Sequence, residues 1–236
     1  MRILLIDTCG ATGSVAMAEG ESAPAVVASA RLPGRTASER LVPAIRELMA
    51  ESGAGLGALD AVAVVHGPGS FTGVRVGLSA AKGLCEAAGV GLVAISRLAV
   101  LAEMARAPSG ARVRAVLDAG RGEFYCGEYV DGGCAGEALL TREEVIAAVR
   151  GGAAGDVVVA CEAGVAQALA ELSPQLVDEP VAEDALTLAL QRVREGAFDD
   201  VGAIDANYVR RTDAEIFAKA QGVAVVPRDE SGAPAR

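Results

Sequence analysis

A chain of 236 residues, 52% hydrophobic and 22% charged, has enough apolar material for one large folded domain or two small ones and excludes disorder throughout. The 21 Lys and Arg against 31 Asp and Glu leave a net charge of -10, a surface that repels phosphate backbones and disfavours a free-standing nucleic-acid binder. The single histidine, His66, excludes a two-histidine metal site and is the only base available to a Ser-His or Cys-His dyad.

Gly, Pro or a charge interrupts every apolar stretch before the roughly 20 residues a spanning helix needs. The run Met1-Arg2-Ile3-Leu4-Leu5-Ile6-Asp7 meets an acid too early for a signal peptide, so a cytoplasmic protein without membrane attachment is expected. Cys9, Cys85, Cys126, Cys134 and Cys161 are odd in number and form no C-x-x-C pair. They read as small buried hydrophobes rather than a disulfide or zinc framework.

In chain order, residues 2–7 predict a strand, a turn cluster follows at 9–13, and 14–18 completes a hairpin. A third strand spans 25–32 and ends at Pro33-Gly34. Leu41, Ile45, Leu48 and Met49 then follow helical spacing, with Thr36 and Glu39 set as a capping box. Pro43 requires either a start near Val42 or a kinked first turn. The uninterrupted apolar run 61–65 predicts a strand buried on both faces, followed by the loop His66-Gly67-Pro68-Gly69-Ser70-Phe71-Thr72-Gly73. A helix over 74–88, a strand over 91–95 and a helix from Ser96 to about Arg106 complete a first set.

Pro108-Ser109-Gly110 marks a boundary, and the order then repeats. Strands are expected at 112–118, 123–130 and 134–140, a helix from Thr141 or Arg142 to Arg150, a strand at 156–161 and a helix at 164–172. A further helix over 181–195 follows. Both halves place three strands before an αβα segment, and both first strands end in an acid, Asp7 and Asp118. An architectural duplication into residues 1–107 and 108–222 is the economical reading, with a cleft between the halves and 223–236 as a flexible tail.

A strand, a glycine-rich loop and a helix form the layout in which backbone N–H groups cradle an anion. The loop lacks the lysine of a nucleotide-binding P-loop, since Val74 follows Gly73. The dinucleotide pattern fails because Thr72 stands where the third glycine belongs. The simpler reading has the glycines allow a tight turn while Ser70 or Thr72 caps the helix, and it makes His66 an ordinary strand-end residue. Asp7 and Asp118 either ligate a metal beside a nucleotide or serve turns. Gly77, Ala80, Ala81 and Gly83 leave the following helix poor in side chains, which suits close approach of another helix.

The segment GPGSFTGVRVGLSAAKGL at 67–84, with the strand DAVAVVH before it, resembles the bacterial TsaB (YeaZ) family. ILLIDTCGATGSVAM at 3–17, SERLVPAIRELM at 38–49, LDAGRGEFYCGEY at 117–129 and NYVRRTDAEIFAK at 207–219 extend the likeness along nearly the whole chain. The resemblance implies an α/β fold of the actin-like, Hsp70-like and sugar-kinase-like (ASKHA) kind with two βββαβα-type subdomains. It further implies a non-catalytic dimerisation subunit that pairs with TsaD, which transfers threonylcarbamoyl to tRNA adenosine, and that is joined by the ATPase TsaE.

On that resemblance the chain has no catalytic and no metal-ligating residue, holds no cofactor stably, meets ATP or ADP at the level of the complex, reaches tRNA only through it, and self-associates when alone. The partner interface is expected on the two N-terminal helices, at Leu41, Ile45, Leu48, Met49, Val74, Gly77, Leu78, Ala81 and Leu84. Residues set beside an anion or nucleotide are Asp7, Thr8, Gly67, Gly69, Ser70, Thr72, Gly73 and Asp118. Two departures stand out: Ala37 where relatives often show histidine, and Asp118-Ala119-Gly120-Arg121 in place of DARR. The alternative is an actin-like ATP-binding phosphotransferase, with ATP between the halves, Asp7 and Asp118 near the metal and the 67–73 loop near phosphate.

Overall fold

A computed structural model describes residues 1–33, 36–53, 55–152 and 155–209; the expected tail at 223–236 lies outside them. The first sheet contains β1 (Arg2–Asp7), β2 (Gly13–Glu19), β3 (Ala25–Leu32), β4 (Ala61–Val65) and β5 (Gly91–Ile95), in the order β3-β2-β1-β4-β5. The second contains β6 (Arg112–Gly120), β7 (Glu123–Val130), β8 (Gly133–Thr141), β9 (Val157–Ala160) and β10 (Gln175–Leu176), in the order β10-β9-β6-β7-β8. In each sheet three antiparallel strands are followed by parallel ones, so both follow the order 3-2-1-4-5. This duplicated arrangement is the ASKHA-type α/β fold.

The central strands explain their composition. All five residues of β4 and five of six in β1 are buried, because helices cover both faces, and a strand covered on both faces has no need to alternate. On one face lie α1 (Ala37–Glu51), against β2 and β3, and α2 (Phe71–Ala88), against β1, β4 and β5. Opposite them lies a segment from the far end of the described chain, the 3-10 turn Ala182–Ala185 on β1, β2 and β4 and α6 (Leu186–Glu195) on β5.

The second sheet shows the reciprocal arrangement. Its own α4 (Arg142–Arg150) and α5 (Ala163–Ala168) cover one face, and α3 (Arg97–Glu103), from the first half of the sequence, covers the other. Leu98 and Leu101 of α3 therefore share a core with Val113, Ala115, Leu117 and Val159. The expected division at 107/108 follows the sheets but not the helices, since each half lends one helix to the other's core.

Local differences from the sequence reading have identifiable causes. Helix α1 begins at Ala37 and runs through Pro43, with Glu39 exposed so that solvent serves the carbonyl the proline leaves unbonded. Thr36 forms no capping box, because its hydroxyl donates to the Pro33 carbonyl instead (2.7 Å). Helix α2 starts three residues earlier than expected, with Ser70 as the cap. The expected helix over 181–195 begins as a 3-10 turn. Of the cysteines, all free, Cys9, Cys85 and Cys126 are buried as expected, whereas Cys134 is exposed and Cys161 half-buried.

Candidate functional site

A cleft of about 810 Å³ opens between the two sheets. Its first wall is the β1–β2 turn, where Thr8, Cys9, Gly10, Ala11 and Gly13 reach the lining. The glycine-rich loop supplies Gly69, Ser70, Thr72 and Gly73, and the second half supplies Asp118, Cys161 and Glu162. Arg97 and Glu179, with Ala37 and Ser38 of α1 and Val76 of α2, complete it. Of the residues expected beside an anion, Thr8, Gly69, Ser70, Thr72, Gly73 and Asp118 thus converge on one cavity. Asp7 and Gly67 do not line it: Asp7 lies beneath, 1% exposed, and Gly67 packs against the backbone of Asn207.

The glycines of the loop are required by packing. A Cβ at Gly73 would overlap the Thr8 carbonyl, one at Gly69 the Cys9 carbonyl, and one at Gly77 the Thr8 hydroxyl. That close approach permits a hydrogen bond from the Thr8 hydroxyl to the Gly73 carbonyl (2.6 Å) and another from the Ser70 amide to the Cys9 carbonyl (2.8 Å). Ser70 caps α2 by accepting from the Gly73 amide (3.3 Å). The loop therefore clamps β1, and two of its amides serve that clamp and cap.

The two strand-end acids behave alike. Asp7 Oδ1 accepts from the Cys9 amide and Asp118 Oδ1 from the Gly120 amide, each at 2.8 Å and each two residues on, so Asp7 organises the turn after β1 and Asp118 the end of β6, where the pairing with β7 shifts register. They differ in surroundings, because Asp118 is exposed whereas Asp7 is buried with Oδ2 lacking a partner. Burial raises the Asp7 carboxyl above its ordinary value, opposed by the nearby Arg97 guanidinium. Burial also pushes the Cys161 thiol up to about 11, which disfavours the reactive thiolate, and raises the Glu162 carboxyl.

Arg97 and Glu179 are the residues that sequence reasoning missed. Arg97 is the first residue of α3 and only 4% exposed, and its guanidinium meets Glu179 Oε1 at 2.9 Å. The same oxygen accepts from the Ala11 amide at 2.8 Å. Glu179 lies in the segment between β10 and the 182–185 turn, where Asp178-Glu179-Pro180 carries no periodic signal. No local pattern in the sequence connects it to residues 82 and 168 positions away. His66 takes no part in the cleft: it lines a separate pocket with Ser96, Tyr129 and Glu137, and its Nδ1 meets the Asp205 carbonyl at 3.0 Å. Among the described residues no group of three or more His, Cys, Asp and Glu is placed to hold a metal.

The residues expected at a partner interface are, with one exception, buried in this chain's own core. Leu41, Ile45, Leu48 and Met49 of α1 and Val74, Gly77, Leu78 and Ala81 of α2 are buried, and Leu84 is half-buried. The apolar periodicity that marked them is the mark of the face a helix turns to its own sheet. Other residues face outward: Val42 and Phe71 are 58% and 61% exposed, and on α2 the small residues Ala80, Gly83 and Ala87 form a stripe at i, i+3 and i+7, with Ala80 half-buried and the other two exposed. No helix of the described residues is long and apolar enough to cross a membrane.

Comparison with known proteins places these features in context. The TsaD family profile, tRNA N6-adenosine threonylcarbamoyltransferase, matches residues 31–160. The tRNA threonylcarbamoyladenosine biosynthesis protein TsaB of Escherichia coli is 39% identical over 130 residues, 55% of each chain, so the chain spans about half the length of the curated relatives it matches. Two solved structures from Pseudomonas aeruginosa extend further. One, of an uncharacterized protein with similarity to peptidase YEAZ, is 32% identical with a TM-score of 0.74, covering 89% of this chain and 99% of that one. The other, of YeaZ, is 30% identical with a TM-score of 0.68, covering 86% and 98%.

Proposed function

As the chain belongs to the TsaB/YeaZ family, we propose that it is a non-catalytic accessory subunit in formation of threonylcarbamoyladenosine on tRNA. In this reading it pairs with a TsaD-type threonylcarbamoyltransferase through the outward faces of α1 and α2. The observation that carries the proposal is the stripe Ala80, Gly83 and Ala87 on α2, together with the exposed Val42 of α1 and Phe71 of α2. A Cβ at Gly83 would meet nothing within 4 Å, so this surface is open and nearly free of side chains, the condition for a second helix to approach closely. The cleft supports the non-catalytic half of the proposal, since its buried cation is engaged by the protein's own Glu179, and Asp7 and Asp118 each accept from a nearby backbone amide. A net charge of -10 fits a subunit that reaches tRNA through its partner, with ATP handled by the assembly and a TsaE-type ATPase.

The test is co-elution with a TsaD-type partner. Gly83→Arg and Ala87→Arg place long charged side chains at exposed positions of the stripe, and they are expected to weaken pairing at least about tenfold while leaving the melting temperature near that of the parent. Undiminished pairing would remove this face from the proposal. If the same variants leave the isolated chain's self-association unchanged, the homodimer uses a different surface. Turnover of Mg-ATP by the isolated chain would favour the phosphotransferase alternative, and unchanged threonylcarbamoyladenosine after depletion of the protein would sink the assignment itself.

A further inference from the structure

The contacts around Glu179 converge on a single oxygen. Oε1 accepts from the Ala11 amide at 2.8 Å and from the Arg97 guanidinium at 2.9 Å. It also lies so close to the Gly10 backbone that any Cβ there would overlap it. An amide donor, a cation and a stretch of backbone stripped of its side chain are the parts from which proteins build oxyanion sites. The cation lines the cleft yet is only 4% exposed, and its Nε is buried without a partner. Glu179, by contrast, is 37% exposed and stands on a connecting segment, so the carboxylate is the replaceable member of the group.

We propose that the Gly10-Ala11 turn and Arg97 form an oxyanion-binding site that the protein's own Glu179 carboxylate fills, and that a phosphate group takes this place when the carboxylate is removed. The site acts as a self-occupied cradle: Glu179 competes with any incoming oxyanion, and an anion that displaces it frees the segment joining β10 to the 182–185 turn. Asp118 and Glu162 line the same cleft and Asp7 lies beneath it, so the surroundings are acidic. That acidity, together with the internal carboxylate, keeps the affinity of the unaltered protein for phosphate low. Gly10 has an ordinary backbone conformation and needs no left-handed φ, so its lack of a side chain is explained by the oxygen it accommodates.

The experiment is calorimetric titration of inorganic phosphate into the full chain at constant ionic strength near neutral pH. Glu179→Ala is expected to bind at least about tenfold more tightly than the parent, because the internal competitor is gone. Glu179→Gln, which keeps the shape and loses the charge, gives a smaller gain and serves as the reading if Glu179→Ala fails to fold. Adding Gly10→Ala to Glu179→Ala fills the cradle and is expected to abolish the gain. A phosphomonoester that binds Glu179→Ala more tightly than the free ion assigns the cradle to a phosphoryl group on a larger molecule, and equal affinity assigns it to the ion. No gain in either Glu179 variant overturns the proposal. Undiminished binding after Gly10→Ala overturns it as well, because the anion then sits elsewhere.

Discussion

The two halves of the molecule share one strand order yet differ in how the loop after the fourth strand is held. In the first half that loop, His66 to Ser70, is pressed against the end of β1 so closely that Gly69 and Gly73 admit no side chain. In the second half the equivalent stretch, from Cys161 into α5, is open, and a Cβ at Gly164 would meet nothing within 4 Å. The same contrast separates the first-strand acids, one buried under a cleft and one exposed beside it, although each accepts from the amide two residues on. Duplication of topology therefore did not bring duplication of environment. The first half packs its loop closely against β1, and the corresponding loop of the second half leaves open space at Gly164.

The sharpest way to break this comparison is at the paired glycines. Gly73→Ala drives a Cβ into the Thr8 carbonyl and is expected to destabilise the protein by about 3 kcal/mol, whereas Gly164→Ala should change stability by no more than about 0.5 kcal/mol. Denaturant unfolding of the two variants measures both, and similar costs would show the second loop to be as tightly held as the first.

Exchange of helices between the halves predicts a displaced effect. Leu101→Ala, a substitution in the first half of the sequence, removes a fully buried side chain from the second core and should cost about 3 kcal/mol. Hydrogen exchange should accelerate in β6 and β9 more than in β1 and β4; the opposite order would place α3 with the first sheet.

The strand-end acids supply a pH experiment. Because burial raises the Asp7 pKa, the folded state holds its proton more tightly than the unfolded chain does. Asp7 therefore costs no stability below the unfolded value of 3.8, and stability falls as pH rises through the folded value. Asp7→Asn keeps the acceptor for the Cys9 amide and loses the charge, so it should be more stable than the parent at neutral pH, with the gain shrinking toward pH 4. Asp118→Asn, on the exposed counterpart, is expected to stay within about 0.5 kcal/mol of the parent. Thermal melts across the range read both. A gain is expected on the outer stripe, where Gly83→Ala should stabilise the monomer by about 1 kcal/mol through helix propensity alone, since no neighbour opposes the methyl.

Much of the architecture was legible because it depends on near neighbours. The β7 bounds, the capping of α2 by Ser70 and the start of α4 at Arg142 follow from periodicity and cap chemistry within a few residues. The two-residue β10 was missed because so short a strand leaves no period to read. The residues expected at the interface include the apolar positions that seat α1 and α2 on their own sheet, so all but Leu84 lie buried on the inward face. A single sequence holds no mark that distinguishes the side a helix keeps for its own core from the side it leaves open.

The chain's sequence by itself determined the strands, the helices, the repeated order and the turns after Asp7 and Asp118, since those are settled by dihedral preference and hydrophobic period over short stretches. Only the tertiary structure decided that α3 and α6 cross between the halves, that the glycine loop clamps β1, and that Glu179 closes the cleft on Arg97 and Ala11. Such pairings join residues 82 and 168 positions apart. They are selected by which buried surfaces and charges find compensation once the two sheets have come together, and no local pattern records that choice.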